Sequence, residues 1–325
     1  MFAAMNPATT TDSNAVHTLY GETMGTRWRA CLVAAPRTDL HALHDSIQAP
    51  LDRVVAQMST WEPDSDLARF NRAPAGSWLA LPQPFFDVLR CALEVADASD
   101  GAYDPTIGPL VDLWGFGAAG GMHRVPDAAE IEAARARVGW RRIVLHDDPA
   151  TAFQPGDAAL DLSAIAKGFG VDAVVSVLRD RGIDSALVDV GGELFGYGRK
   201  PDGTPWRVLV EAAPDAADDS EPCVLSLDGF AVATSGVRWH HFEHDGRLYA
   251  HTLDPRSGAP VERAPVAVTV IADDAMHADA WATALTVMGA DDGVAFAEAR
   301  GLAARFVIDG NDIRTTSAFA VRLGA

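Results

Sequence analysis

The first pattern along the chain is an alternation of apolar and polar positions over residues 17–34, "HTLYGETMGTRWRACLVA". With Gly25 in its middle, this stretch predicts a β-hairpin. Residues 39–61 switch to the helical period, and Pro50 predicts a local break in that helix. "DSDLARFNRA" opens with a capping-type Asp64–Ser65 and predicts a short helix. Residues 84–101 read as an amphipathic helix that stops at Gly101. The next stretch, "GAYDPTIGPLVDLWGFG" (101–117), is rich in glycine and proline and is expected to be mostly loop. An exposed helix follows at 126–139.

The texture then turns to strands. "RRIVLHDD" and "DAALDLS" are expected as strands, and Ser163 to Gly182 as a helix that Ser163 can cap. "DSALVDVGGELFGYG" reads as a buried strand running into glycines, followed by short strands in "WRVLVEAA", "CVLSLDGFAVATSG", "RWHHFEHDGRLYAHTLD" and "APVAVTVIADD". Two late helices (275–288 and 291–299) and closing strands "AARFVIDG" and "SAFAVRLG" complete the order. Residues 1–15 are expected as a loose tail, 16–325 as a single domain, and 212–222 as an acidic surface loop. The fold class is α+β, with a helical first third set around a largely antiparallel second part.

Composition narrows the partners. At 325 residues, 48% hydrophobic and 22% charged, the chain has ample material for a core. A net charge of −19 argues against nucleic acid and against an anionic membrane surface. No apolar run approaches the about 20 residues of a membrane span, so no membrane insertion is expected. The first residues lack a basic n-region, an apolar h-region and a lipid-acceptor cysteine. A cytoplasmic location is therefore expected, or a periplasmic one if a leader was trimmed. Cys31, Cys91 and Cys223 show no metal-like or redox pairing and read as small buried hydrophobes.

Against this acidic background a single cation is informative, and the chain has only two lysines, Lys167 and Lys200. Lys167 stands in "LDLSAIAKGFGVD", one turn inside a helix whose start can bind an anion. The alternative is an ordinary salt bridge to Asp161 or Asp172. Asp279 and Thr283 in "ADAWATALTVMG" are four apart and share a helix face, a hard-oxygen half-site of the kind Mg²⁺ accepts. They equally suit an N-terminal Asp complementing the helix dipole and a Thr bonded back to the helix. His251, at a strand end beside the "DPRSG" turn, has the place of a general base. The double glycine of "DVGGE" and the loop "GAYDPTIGPL" suit a phosphate or a flat ligand, and suit tight turns as well.

Taken in order, "MGTRW", "MSTWEPDSDLARFN", "GAYDPTIGPLVDLWGFG", "LDLSAIAKGFGVD", "LVDVGGELFGYG", "VATSG", "HTLDPRSGAPV" and "ADAWATALTVMG" resemble the ApbE family of FAD:protein FMN transferases, from about residue 20 to the C-terminus. The resemblance implies an α+β domain with a T-fold-like core. It also implies Mg²⁺-dependent cleavage of the FAD pyrophosphate, with FMN passed to a threonine or serine hydroxyl of an acceptor flavoprotein and AMP released. By the same resemblance Met24, Trp61, Ala102, Tyr103, Asp104, Asp161, Lys167 and Leu253 meet FAD. Asp279, Thr283 and the Ala164 carbonyl would hold the metal, and His251 would take the proton from the acceptor hydroxyl while Lys167 adds a charge. The alternatives are an FAD pyrophosphatase giving FMN and AMP, and a non-catalytic FAD-binding or trafficking protein. Retention of His251, Asp279 and Thr283 together counsels against the last, since binding alone needs no base.

Overall fold

The computed structural model describes residues 14–118, 123–210, 223–237, 241–308 and 312–323. The expected tail lies almost wholly outside these residues, as does the whole acidic loop 212–222; the first strand begins at Ala15. The chain opens with β1 (Ala15–Thr23), β2 (Thr26–Ala34), α1 (Leu40–Met58), α2 (Asp66–Arg72), β3 (Ser77–Ala80), α3 (Gln83–Ala98), α4 (Gly108–Leu113) and α5 (Ala128–Arg135). Next come β4 (Leu145–Asp147), β5 (Ala150–Gln154), α6 (Ala166–Asp180), β6 (Ala186–Val190), β7 (Glu193–Tyr197), β8 (Trp206–Leu209), β9 (Val224–Leu227) and β10 (Phe230–Gly236). The last part holds β11 (His241–His244), β12 (Arg247–Ala250), β13 (Leu253–Asp254), β14 (Ala259–Pro260) and β15 (Ala267–Ala272). After these follow α7 (Ala275–Met288), α8 (Ala290–Arg300), β16 (Ala303–Val307), β17 (Ile313–Thr315) and α9 (Ser317–Leu323).

An eight-stranded sheet of order β1-β2-β6-β7-β10-β15-β16-β17 forms the centre, and every neighbouring pair in it runs antiparallel. The two-residue period sorts its faces. Trp28, Ala30 and Leu32 of β2 and Val188 and Val190 of β6 point to one side, where they pack against α1, α6 and α7. Leu187, Phe230, Val232 and Ile271 point to the other, beneath β8, β9 and Phe319 of α9. A third core joins α2, α3 and β5 to α7 and the far end of the sheet. The α+β reading holds, and α6 and α7 emerge as the pair sandwiched between sheet and helical part.

Several expected elements differ. Pro50 does not break α1, which runs unbroken through it. The buried stripe Leu43, Ile47, Leu51 and Val54 holds the helix on the sheet, and that burial offsets the one hydrogen bond proline removes. "DAALDLS" makes only an isolated bridge, Ile107 to Ala159. Its backbone groups are satisfied elsewhere: Asn71 Oδ1 accepts from Leu160 N at 2.7 Å and Asn71 Nδ2 donates to Leu160 O at 2.9 Å. "GAYDPTIGPLVDLWGFG" contains α4, which was not expected. "SAFAVRLG" is helix α9 rather than a strand, because Thr316 Oγ1 accepts from Phe319 N (3.3 Å) and Glu298 receives Ser317 N at 2.8 Å. Finally, "DVGGE" does end a strand, β6, and its glycines make a tight two-residue hairpin turn into a second strand, β7. Gly191 (φ 64°) and Gly192 (φ 107°) supply the positive dihedrals that let β6 reverse into β7.

Candidate active site

Three turns and two helices build the site. The β1–β2 turn places Met24 in the left-handed region at φ 46°, an uncommon conformation for a residue with a side chain. Its methyl group lies against α6: a Cβ added at Gly170 would be 3.1 Å from Met24 Cε. Beside it opens a cavity of about 990 Å³, walled by Met24, Thr26, Trp61, Ser163, Ala166 and Lys167 among others. Trp61 keeps 67% of its surface exposed, which leaves an indole face open to a ligand. Three expected FAD residues, Met24, Trp61 and Lys167, thus share one cavity. Asp279 and His251 are not among its walls.

Lys167 sits in the first turn of α6 and is tied to neither Asp161 nor Asp172, so the simple salt bridge open from sequence does not form. Its ammonium donates to Glu193 Oε1 at 2.5 Å and stands 3.8 Å from Asp279 Oδ1. The β6–β7 turn positions Glu193, and α7 positions Asp279. Both carboxylates are buried, at 4% and 6% side-chain exposure, whereas Lys167 keeps 29% and can still reach the cavity. Burial raises the two carboxyls above their ordinary range and Lys167 opposes it. Burial also works against the ammonium, but Asp279 and Glu193 more than offset it and hold the lysine charged. Asp279 Oδ2 accepts from Gly168 N at 3.1 Å, which ties α7 to the start of α6.

Asp172, one turn further along α6, does separate work. Its carboxylate accepts from Ala275 N and Met276 N, each at 2.9 Å, so it satisfies the first two amides of α7, whose N-cap is Asp274. Asp161 Oδ1 accepts from Ser163 N at 2.8 Å and from the Ser163 hydroxyl. Contrary to expectation, Ser163 therefore does not cap α6; that helix begins after Ile165 without a side-chain cap. Ala164 lies half-buried in the turn between them.

Ala102, Tyr103 and Asp104 are buried under the site. Asp104 is engaged within its own loop: Oδ1 accepts from Thr106 N (2.8 Å) and Thr106 Oγ1 (2.6 Å), and Oδ2 accepts from Trp140 N (3.2 Å). The Tyr103 hydroxyl is buried without a hydrogen-bond partner. Burial pushes it well above the usual phenol range, and the charges of Asp279 and Asp161 add to the push. This loop is joined to the turn before α6, since Asp161 N donates to Pro105 O at 2.8 Å. His251 and Leu253 do not line the cavity and lie instead with the cluster around α4. Leu253 packs with Leu110 and Trp114, and the His251 ring meets Phe116 edge-on at 6.4 Å.

Residues 24–306 match the sequence model of the ApbE family. The chain belongs to the ApbE family. Its whole length is comparable with the relatives. It is 34% identical over 313 residues to the FAD:protein FMN transferase of Salmonella typhimurium, covering 95% of this chain and 89% of that one. A flavinyl transferase ApbE from Pseudomonas stutzeri, solved in its apo form, superposes with a TM-score of 0.89 at 39% identity, covering 96% of this chain and 98% of that one. The flavin transferase ApbE from Vibrio cholerae superposes at 0.87 with 34% identity, over 95% and 99% of the two chains. Within this ApbE chain the residue that sequence reasoning passed over is Glu193. Its signal was the double glycine of "DVGGE": read as a two-residue hairpin turn, it sends the next side chain back towards α6.

Thr283 lies one helical turn beyond Asp279 on α7, as the spacing predicts. Among the described residues no cluster of three or more His, Cys, Asp or Glu side chains is set to hold a metal. The donors that the family resemblance implies for a cation here are the Asp279 carboxylate, the Thr283 hydroxyl and the Ala164 carbonyl, and an all-oxygen set of that kind suits Mg²⁺. No helix among the described residues is long and apolar enough to cross a membrane.

Proposed function

We propose that this chain carries out the reaction for which its curated relatives are named, moving FMN from FAD onto an acceptor protein. The observation that carries the reading is Lys167 itself. One lysine reaches a cavity walled by Met24 and Trp61 and, on its other side, the buried Asp279 carboxylate. An apolar and aromatic cavity suits the flat isoalloxazine, and a cation at its floor suits the pyrophosphate. The acceptor is a flavoprotein presenting a threonine (or serine) hydroxyl.

The chemistry asked of the protein is mainly positioning and charge neutralisation. Bound at Asp279, Thr283 and the Ala164 carbonyl, Mg²⁺ would neutralise charge on the pyrophosphate oxygens. Lys167 supplies a second positive charge. His251 accepts the proton of the acceptor threonine. The threonine oxygen bonds to the flavin-side phosphorus, the bond from that phosphorus to the bridging oxygen breaks, and AMP leaves with that oxygen. Asp161 holds the turn carrying Ala164, and Tyr103 closes the site from beneath.

The test incubates the protein with FAD, Mg²⁺ and a flavoprotein fragment bearing the acceptor threonine. AMP released in step with covalently fluorescent acceptor supports transfer. FMN and AMP without an adduct would replace it with pyrophosphate hydrolysis, and FAD recovered intact would leave a binding protein.

A further inference from the structure

We propose that Glu193 is a positioning residue that holds the Lys167 ammonium away from Asp279, keeping the Asp279 carboxylate open to a divalent cation. The inference rests on the metal reading given above and extends it to a residue outside the donor set.

Two buried carboxylates compete for one lysine, and the distances show which has it. Glu193 Oε1 takes the ammonium at 2.5 Å, while Asp279 Oδ1 stands at 3.8 Å. The β6–β7 turn also runs beside the lysine stem, since a Cβ added at Gly191 would fall 3.4 Å from Lys167 Cδ. That turn therefore places the carboxylate that receives the lysine's charge. Glu193 makes no other side-chain use of its charge: Oε2 is buried without a hydrogen-bond partner. Asp279 has its Oδ2 occupied by Gly168 N–H, so Oδ1 is the oxygen with capacity for a cation. Lys167, with 29% of its side chain exposed, would on losing Glu193 lean on its remaining counter-charge. Asp279 is the carboxylate next in reach, and a lysine seated on Oδ1 would occupy the place a metal needs.

The argument predicts a specific non-additivity. Binding of Mn²⁺, a probe that accepts the same oxygen donors, is titrated calorimetrically into FAD-free protein. In the Lys167 background, Glu193→Gln weakens Mn²⁺ binding by about tenfold, a coupling of ordinary size for contacting groups. In the Lys167→Met background the same substitution changes Mn²⁺ affinity by less than about twofold, because no ammonium is left to misplace. Equal losses in both backgrounds would mean that Glu193 acts only as a charge or a ligand, and would overturn the proposal. So would an unchanged affinity in Glu193→Gln. If Glu193→Gln fails to fold, Glu193→Asp takes its place: it keeps the charge one methylene short and gives a smaller loss with the same dependence on Lys167. Because the titration contains neither FAD nor acceptor, it fails separately from the transferase reading. Transfer with equal losses overturns the Glu193 role alone, and an intact cycle without transfer overturns the function alone.

Discussion

Gly168 and Ala275 face each other where α6 meets α7, so closely that a Cβ on Gly168 would lie 2.2 Å from the Ala275 carbonyl oxygen. The same added atom would lie 2.9 Å from Cβ of Asp279. The obstacle is helix backbone, which has no flexible end to move aside. Gly168→Ala is therefore expected to cost about 2–3 kcal/mol by overpacking and to displace the Asp279 carboxylate. Urea unfolding measures the first effect, and metal titration the second. A variant as stable as the parent would show that the two helices are not locked by this contact.

His251→Ala is expected to leave FAD binding at the parent value and slow transfer by about 10²–10⁴-fold, the usual worth of a general base. Flavin fluorescence quenching reports the binding, and adduct formation the rate. Loss of binding in parallel with rate would mean that His251 shapes the site rather than taking the proton.

Trp61→Ala removes an indole that is 67% exposed at the cavity mouth, so the fold should hardly notice. FAD binding should weaken by about tenfold, the order of one aromatic stacking contact. Trp61→Tyr, which keeps a stacking face, should recover most of it. Unchanged binding in Trp61→Ala would take the flavin out of this cavity.

His277, at the start of α7, bonds through Nδ1 to Asp274 at 2.8 Å and has Cys91 Sγ 3.5 Å from Nε2. The Asp274 hydrogen bond, then Cys91, raise its pKa to about 10. The folded protein thus keeps a proton that the unfolded chain gives up near pH ~6.5. This contribution is fully present below that pH and is lost as pH rises towards about 10. Melting temperatures should show the parent's advantage over His277→Gln shrinking across that window. Parallel curves would show that His277 is not charged in the fold.

How legible the site was depends on how local each contact is. Asp279 and Thr283 share a face because a single helix fixes their spacing, and Met24–Gly25 make a turn because two neighbouring strands demand one. Lys167 was legible as an isolated cation, but its partner was not. Glu193 reaches it only after β6 and β7 close into a hairpin and α6 packs on the sheet, a relation spanning 26 residues. The same holds for the misread elements. Asn71 satisfies Leu160 across 89 residues, and no local pattern announces that its segment needs no strand partner. Pro50 failed because tertiary burial overrode a local rule at proline, and α9 because the bonds from Thr316 and Glu298 at its start overrode an alternation that resembled a strand.

The measurement that bears most directly on the central claim is the intact mass of an acceptor flavoprotein fragment after incubation with this chain, FAD and Mg²⁺. The expected result is a gain of one FMN on the acceptor threonine, with AMP in equal amount, and no gain with Asp279→Ala. An acceptor of unchanged mass while FAD is consumed, or an equal gain with Asp279→Ala, would contradict the account.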